Sequence, residues 1–151
     1  MTYEEFLANP NTQRNFPKLT TSNSAKTSPI DENYNCIAWA AEDDTRWWWP
    51  NGGYWPSSAP NVATDASFKI AYATLGYAIS ENGDYESGIQ KIAVYLLNDV
   101  PTHASRQLSP RLWTSKLGSG FDISHEFDAL NGPFYGEPEF FMARSNGVQT
   151  T

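Results

Sequence analysis

The sequence predicts an α+β domain, with helices gathered on one face of an antiparallel sheet. Three observations carry that expectation. Helix signals fall in the first half of the chain, around Asn35–Ala41 and Thr64–Leu75. Apolar and β-branched runs separated by turn residues fall in the second half, from Lys91 onward, and helices followed by strands is the α+β order. The composition also suits a compact fold of short strands and loops, with 18% charged residues, 15% aromatic residues and six Trp. That is too aromatic for a disordered chain.

Taken in order, Tyr3–Leu7 forms one helical turn stopped by Asn9-Pro10. The stretch from Asn11 to Pro29 is rich in Thr, Ser, Asn and Lys and reads as an extended lead-in over the surface. This makes residues 1–32 a lead-in, residues 33–145 a single α+β domain and residues 146–151 a tail that frays. At 151 residues the chain has the length of one domain, large enough to bury a core without staples. Asn33 and Asn35 are N-cap residues for a buried helix running through Ile37, Ala38, Trp39, Ala40 and Ala41, which Glu42-Asp43-Asp44 ends. Two Pro and a Gly pair keep Arg46-Trp47-Trp48-Trp49-Pro50-Asn51-Gly52-Gly53-Tyr54-Trp55-Pro56 irregular. Its rings either pack on the domain's own core or wall a cleft beside Cys36. Thr64 caps a second helix to about Leu75, with Gly76 as its C′ residue. Tyr77-Ala78-Ile79 is a short strand and Glu81–Asp84 a turn.

Lys91–Leu96 is a strand buried on both faces. Asn98–Pro101 turns the chain into a second strand, Thr102–Leu108. Ser109–Arg111 closes a hairpin with Leu112–Leu117. Asp122 to Leu130 is expected to hold a short helix closed by Gly132, and Glu139–Ala143 a final strand.

Charge and composition narrow the function. A formal net charge of −7 argues against nucleic acid and anionic membrane as partners. One cysteine excludes an internal disulfide framework and a multi-cysteine zinc site, and no two ligand residues have metal-like spacing, so neither metal nor cofactor is expected. The acidic start Met1–Glu5 has no apolar run behind it, and no stretch is long enough to span a bilayer, so a cytoplasmic protein is expected.

The sharpest chemistry is Cys36 at a helix start. Free N–H groups and the helix dipole favour thiolate there, which suits a nucleophile, whereas a lone cysteine elsewhere is commonly core filler. His103, at the start of a strand, is the candidate base. If the hairpin pairs Arg106 with Thr114 and Gln107 with Trp113, Ser115 is the nearest polar residue on the face of His103 and the candidate to orient its ring; Asp122 is the alternative. The Cys36 N–H with Asn33 or Asn35 could form an oxyanion hole. His125 is an alternative base; placed in the first turn of the expected helix, it reads instead as a surface residue.

Four segments carry a resemblance. They are Asn35-Cys36-Ile37-Ala38-Trp39-Ala40, Trp47-Trp48-Trp49-Pro50, Thr102-His103-Ala104-Ser105-Arg106-Gln107 and Trp113-Thr114-Ser115-Lys116-Leu117-Gly118. Over Asn33 to Ala143 the chain resembles a family of small uncharacterised bacterial proteins that carry a domain of unknown function. More distantly, the order of Cys helix, His strand and polar residue one strand later resembles papain-like amidases of the NlpC/P60 and CHAP type. That resemblance implies a papain-like fold and a cysteine hydrolase, with Cys36, His103 and Ser115 as catalytic residues. The bond would be an amide or acyl linkage in a peptide, a cell-wall fragment or a modified protein. Ser115 stands where those enzymes usually carry His, Asn, Asp or Glu. The alternative is a catalytically inactive papain-like binding module whose contact surface is the Trp-rich loop.

Overall fold

The computed structural model describes residues 1–145. Helix α1 (Tyr3–Ala8) opens on a capping box. The Thr2 hydroxyl accepts from the Glu5 N–H, and the Glu5 carboxylate accepts from the Thr2 N–H. Pro10 then starts a helix instead of only stopping one. Asn9 ends α1 and caps α2 (Pro10–Asn15), with proline in the first turn, where a missing N–H costs nothing. Strand β1 (Ser24–Ser28) follows. Helix α3 (Cys36–Ala40) is capped by Asn35, and α4 (Asp65–Ala73) by Thr64, both as the sequence indicates. The remaining strands are β2 (Ala78–Ser80), β3 (Ile89–Leu97), β4 (Val100–Gln107), β5 (Leu112–Lys116), β6 (Asp122–Glu126) and β7 (Glu137–Ser145).

The strands form one sheet in the order β1-β6-β5-β4-β3-β7-β2, and every pairing is antiparallel. Strands β3 to β6 are a meander. β7 returns to the free side of β3, so the final strand is internal. Asn98 and Asp99 both take positive φ, 53° and 66°, which gives β3 and β4 a tight two-residue turn. The strand therefore begins at Val100, earlier than Thr102, and a register shift near Pro101 absorbs the proline.

Pleating sends alternate side chains to opposite faces. One face carries Ile92, Val94, Ala104 and Met142. These pack beneath α3 and α4 with Ile37, Ala38, Phe68 and Tyr72. The other face carries Ala93, Tyr95, Trp113 and Ile123, which pack with Tyr3, Phe16, Leu19, Leu130 and Tyr135.

Three expectations are corrected here. Residues 1–32 are not a draped lead-in: β1 is an edge strand of the sheet, paired with β6, and Tyr3, Phe16 and Leu19 are buried in the second core. Helical elements are not confined to one face, because the α1–α2 segment covers the face opposite α3. Asp122–Glu126 is a strand. Its period of two was hidden because polar residues occupy buried positions on both faces: Ile123 and His125 point one way, Asp122 and Ser124 the other. The expected tail, residues 146–151, lies outside the described residues.

Candidate functional site: the cleft at Cys36

Asn35 organises the entrance to α3. Its side-chain oxygen accepts from the N–H groups of Ala38 and Trp48, each at 3.1 Å, and its side-chain N–H donates to the Trp48 carbonyl at 2.9 Å. One carboxamide thus caps the helix and ties the Trp-rich loop to it. The preceding residue, Tyr34, donates its hydroxyl to Asp122 Oδ2 at 2.5 Å. Asp122, weighed above as a partner for His103, instead anchors the chain leading into Cys36. Burial raises the Asp122 carboxyl from its ordinary value, against the opposing hydrogen bond from Tyr34.

Cys36 lines a cleft of about 360 Å³ with Trp47, Trp49, Phe134 and Tyr135. Trp48 is buried in the core, whereas Trp47 is 38% exposed. The loop therefore does both jobs weighed for it: Trp48 packs, while Trp47 and Trp49 form a wall. No charged side chain lines the cleft. The Asn35 carboxamide is engaged as described, and the Trp47 indole donates to the Glu32 carbonyl at 2.6 Å. Cys36 is 6% exposed, and its thiol lies 3.9 Å from the Thr102 carbonyl, to which it donates. Burial pushes the Cys36 pKa up to about 11. The N–H groups of Ala104, Ile37 and Cys36 and the charge on Lys116 pull it down, but less strongly. The electropositive helix terminus is present, as the sequence indicates, and desolvation outweighs it.

The expected partners of Cys36 assemble elsewhere. His103 Nε2 lies 2.9 Å from Ser115 Oγ, and Ser115 Oγ lies 2.7 Å from His125 Nε2. The hairpin register that indicated Ser115 is the one formed, with Arg106 opposite Thr114 and Gln107 opposite Trp113. But Ala104 faces α3, so its neighbour His103 projects from the other face of β4, edge-on to Tyr95 and stacked 4.0 Å from the Tyr135 ring. The thiol meets the β4 backbone at Thr102 and Ala104, on either side of His103, and Tyr135, stacked on the His103 ring, also lines the cleft, but among the described residues no hydrogen bond joins Cys36 to either histidine.

His125, expected at the surface, is fully buried and completes this chain. Its Nδ1 lies 2.7 Å from the Glu126 carbonyl, which only accepts, so Nδ1 carries the proton and Nε2 is an acceptor. Ser115 then donates to His125 Nε2 and accepts from His103 Nε2–H. Both rings are neutral, and His103 Nδ1 is left a buried acceptor without a partner. Burial pulls the His125 pKa down to about 4, against the Glu126 carbonyl, and pulls His103 well below its ordinary value, as does the repulsion it would meet from a protonated His125.

Lys116 is the charged group nearest the thiol in effect. Its ammonium donates to the carbonyls of Asp31, Gly118 and Gly120. All three N–H groups are therefore engaged, and its role is to clamp the 118–120 turn to the chain before Cys36. Phe134 and Tyr135 are the cleft residues sequence reasoning missed. A signal exists in Gly132-Pro133-Phe134-Tyr135-Gly136: the two glycines bridge to each other, presenting two rings on a tight loop. Gly136 has φ 79°, and a Cβ there would strike the Leu96 carbonyl, so the loop closes this tightly only with glycine.

Fold and site together define a small α+β domain, built on a seven-stranded antiparallel sheet with an aromatic cleft at the start of its Cys-bearing helix. A model of a domain of unknown function, DUF7689, matches residues 25–143, and the chain belongs to that family. Comparison with curated proteins and with solved structures gave no match. Among the described residues no helix is long and apolar enough to cross a membrane, and no group of three or more His, Cys, Asp or Glu could hold a metal ion.

Proposed function

We propose that this protein is a binding module that takes a small apolar or aromatic group into the cleft at Cys36. In this reading a papain-like arrangement has kept its cysteine position as the base of a pocket and not as a nucleophile. The observation that carries it is the convergence of Trp47, Trp49, Phe134 and Tyr135 on one cavity around a protonated thiol, with no charged lining residue. Clefts of this size and lining are what small-ligand sites are made of. An anionic ligand would lose its hydration there without a partner.

A cysteine hydrolase acting on an amide or acyl bond is the second reading. It is favoured by the placement of Cys36 at the amino end of α3, lining the cleft. It requires His103, whose ring stacks on Tyr135 of the same cleft but is hydrogen-bonded to Ser115, to reach the thiol as base, and a thiol far more acidic than burial makes this one.

The test is titration with indole, phenylacetamide and octanoate, followed through the Trp47 and Trp49 indole N–H resonances and the Cys36 amide. Saturable shifts confined to these groups, produced by the neutral probes, lost in Trp47→Ala and kept in Cys36→Ser, are expected. Shifts absent for every probe, or spread over the molecule and indifferent to Trp47→Ala, would remove the proposal. Turnover of an amide or ester probe that vanishes in Cys36→Ser would favour the hydrolase instead.

A further inference from the structure

A second cavity, of about 530 Å³, lies on the sheet face opposite Cys36 and shares no lining residue with the first cleft. Its floor is aromatic. Trp113 of β5 sits 5.3 Å from Phe127 and 6.5 Å from Phe141, and Phe127 sits 5.8 Å from Phe141, ring centre to ring centre. Its wall is the loop between β2 and β3, which contributes Asn82, Asp84 and Tyr85.

That loop is held down at several points. Gln107 Nε2 donates to the Gly83 carbonyl at 2.8 Å. A Cβ at Gly83 would lie 2.6 Å from the Phe141 ring, so the backbone rests directly on it. Lys91 reaches Asn82 Oδ1 at 3.1 Å and pairs with Glu86 at 2.7 Å. With its nitrogen fixed to Gly83, the Gln107 carboxamide cannot turn. Its oxygen is left buried, without a donor, in a residue that lines the cavity. Native proteins seldom leave such an acceptor unmatched.

We infer that this cavity is a binding site for a small organic ammonium ion. The negative faces of Trp113, Phe127 and Phe141 attract a cation. Asp84 supplies a carboxylate among the lining residues, and no Lys or Arg lines the cavity. The nearby charge of Lys91 is matched by Glu86. A neutral alcohol would leave Asp84 and the ring faces unused, and a carboxylate would meet Asp84 as a like charge.

The experiment is titration of the full chain with n-butylammonium, with n-butanol and butyrate as neutral and anionic counterparts. The Trp113 indole N–H, assigned by its absence in Trp113→Phe, and the amides of residues 82–85 are followed by NMR. The expected result is a saturable shift at these groups with butylammonium and none with the other two. Asp84→Asn, an exposed change that leaves the fold intact, should weaken binding about threefold. Phe127→Leu, which removes one ring face, should weaken it further, and Trp47→Ala should leave it unchanged. Equal response to n-butanol, indifference to Asp84→Asn, or no saturable shift up to the solubility limit would overturn the assignment.

Discussion

Acidification from pH 7.5 to 5 should destabilise the protein through the His103–Ser115–His125 chain. Both rings are buried and neutral, and both have folded pKa values below the ordinary histidine value. The unfolded state therefore takes up protons that the folded state refuses. Stability is complete above the unfolded pKa of ~6.5 and falls as the pH drops toward the folded value, about 4 for His125. From these values His125 alone costs roughly 2 kcal/mol at pH 5 and about 3 kcal/mol once the pH is below 4. His103 adds in the same direction. Asp122 acts oppositely: its raised carboxyl pKa means the folded state takes a proton more readily, so it gains stability as the pH falls toward its folded value. Ordinary carboxylates titrate mainly below the window. The assay is urea denaturation at pH 7.5, 6.5, 5.5 and 5.0, repeated with His125→Gln, which keeps a polar side chain but does not titrate. The wild type should lose at least ~2 kcal/mol across the range, against a total of about 5–15 kcal/mol, and the variant should lose less. A wild-type stability flat to within about 0.5 kcal/mol, or a pH slope unchanged in His125→Gln, would refute the neutral-pair account.

Two further outcomes follow from the packing. Asn35→Ala removes the α3 cap and three hydrogen bonds, two of them to the Trp-rich loop. It should cost about 2–3 kcal/mol in urea denaturation and broaden the Trp47 and Trp49 indole resonances. Deleting residues 1–22 takes Tyr3, Phe16 and Leu19 from the second core. At roughly 1.5–3 kcal/mol per buried side chain the loss approaches the whole stability of a domain, so thermal unfolding should lose its cooperative transition. Retention of a sharp transition would show that the segment is an accessory covering.

Local signals were legible where one mechanism dominates. Thr64 and Asn35 announce their helices because a cap is a single side-chain bond to nearby N–H groups, and Ser109–Arg111 sets a register that correctly brings Ser115 to His103. β6 was illegible for the opposite reason. Beside Ile123 it buries His125 and Asp122, whose side chains reach partners distant in sequence, His125 to Ser115 and Asp122 to Tyr34. The lead-in misled because its composition is that of a loop, while its few large residues, Tyr3, Phe16 and Leu19, are enough to dock it. The Cys–His expectation rested on chain order, which brings Cys36 to the β4 backbone beside His103 but does not say which face of the strand the imidazole takes. Periodicity alone separates Thr102 and Ala104 from His103, but only knowledge of which face meets α3 gives that parity a meaning.

Burial holds the Cys36 thiol protonated, and it makes no hydrogen bond to His103. The most direct measurement is its alkylation rate by iodoacetamide against pH, in wild type and in His103→Gln. The structure predicts an inflection near pH 11, with a rate at pH 7.5 far below that of a free thiol of pKa ~8.5, and the same profile in the variant. An inflection at or below pH ~8, moved upward when His103 is replaced, would contradict it and place a thiolate–imidazolium pair in the cleft.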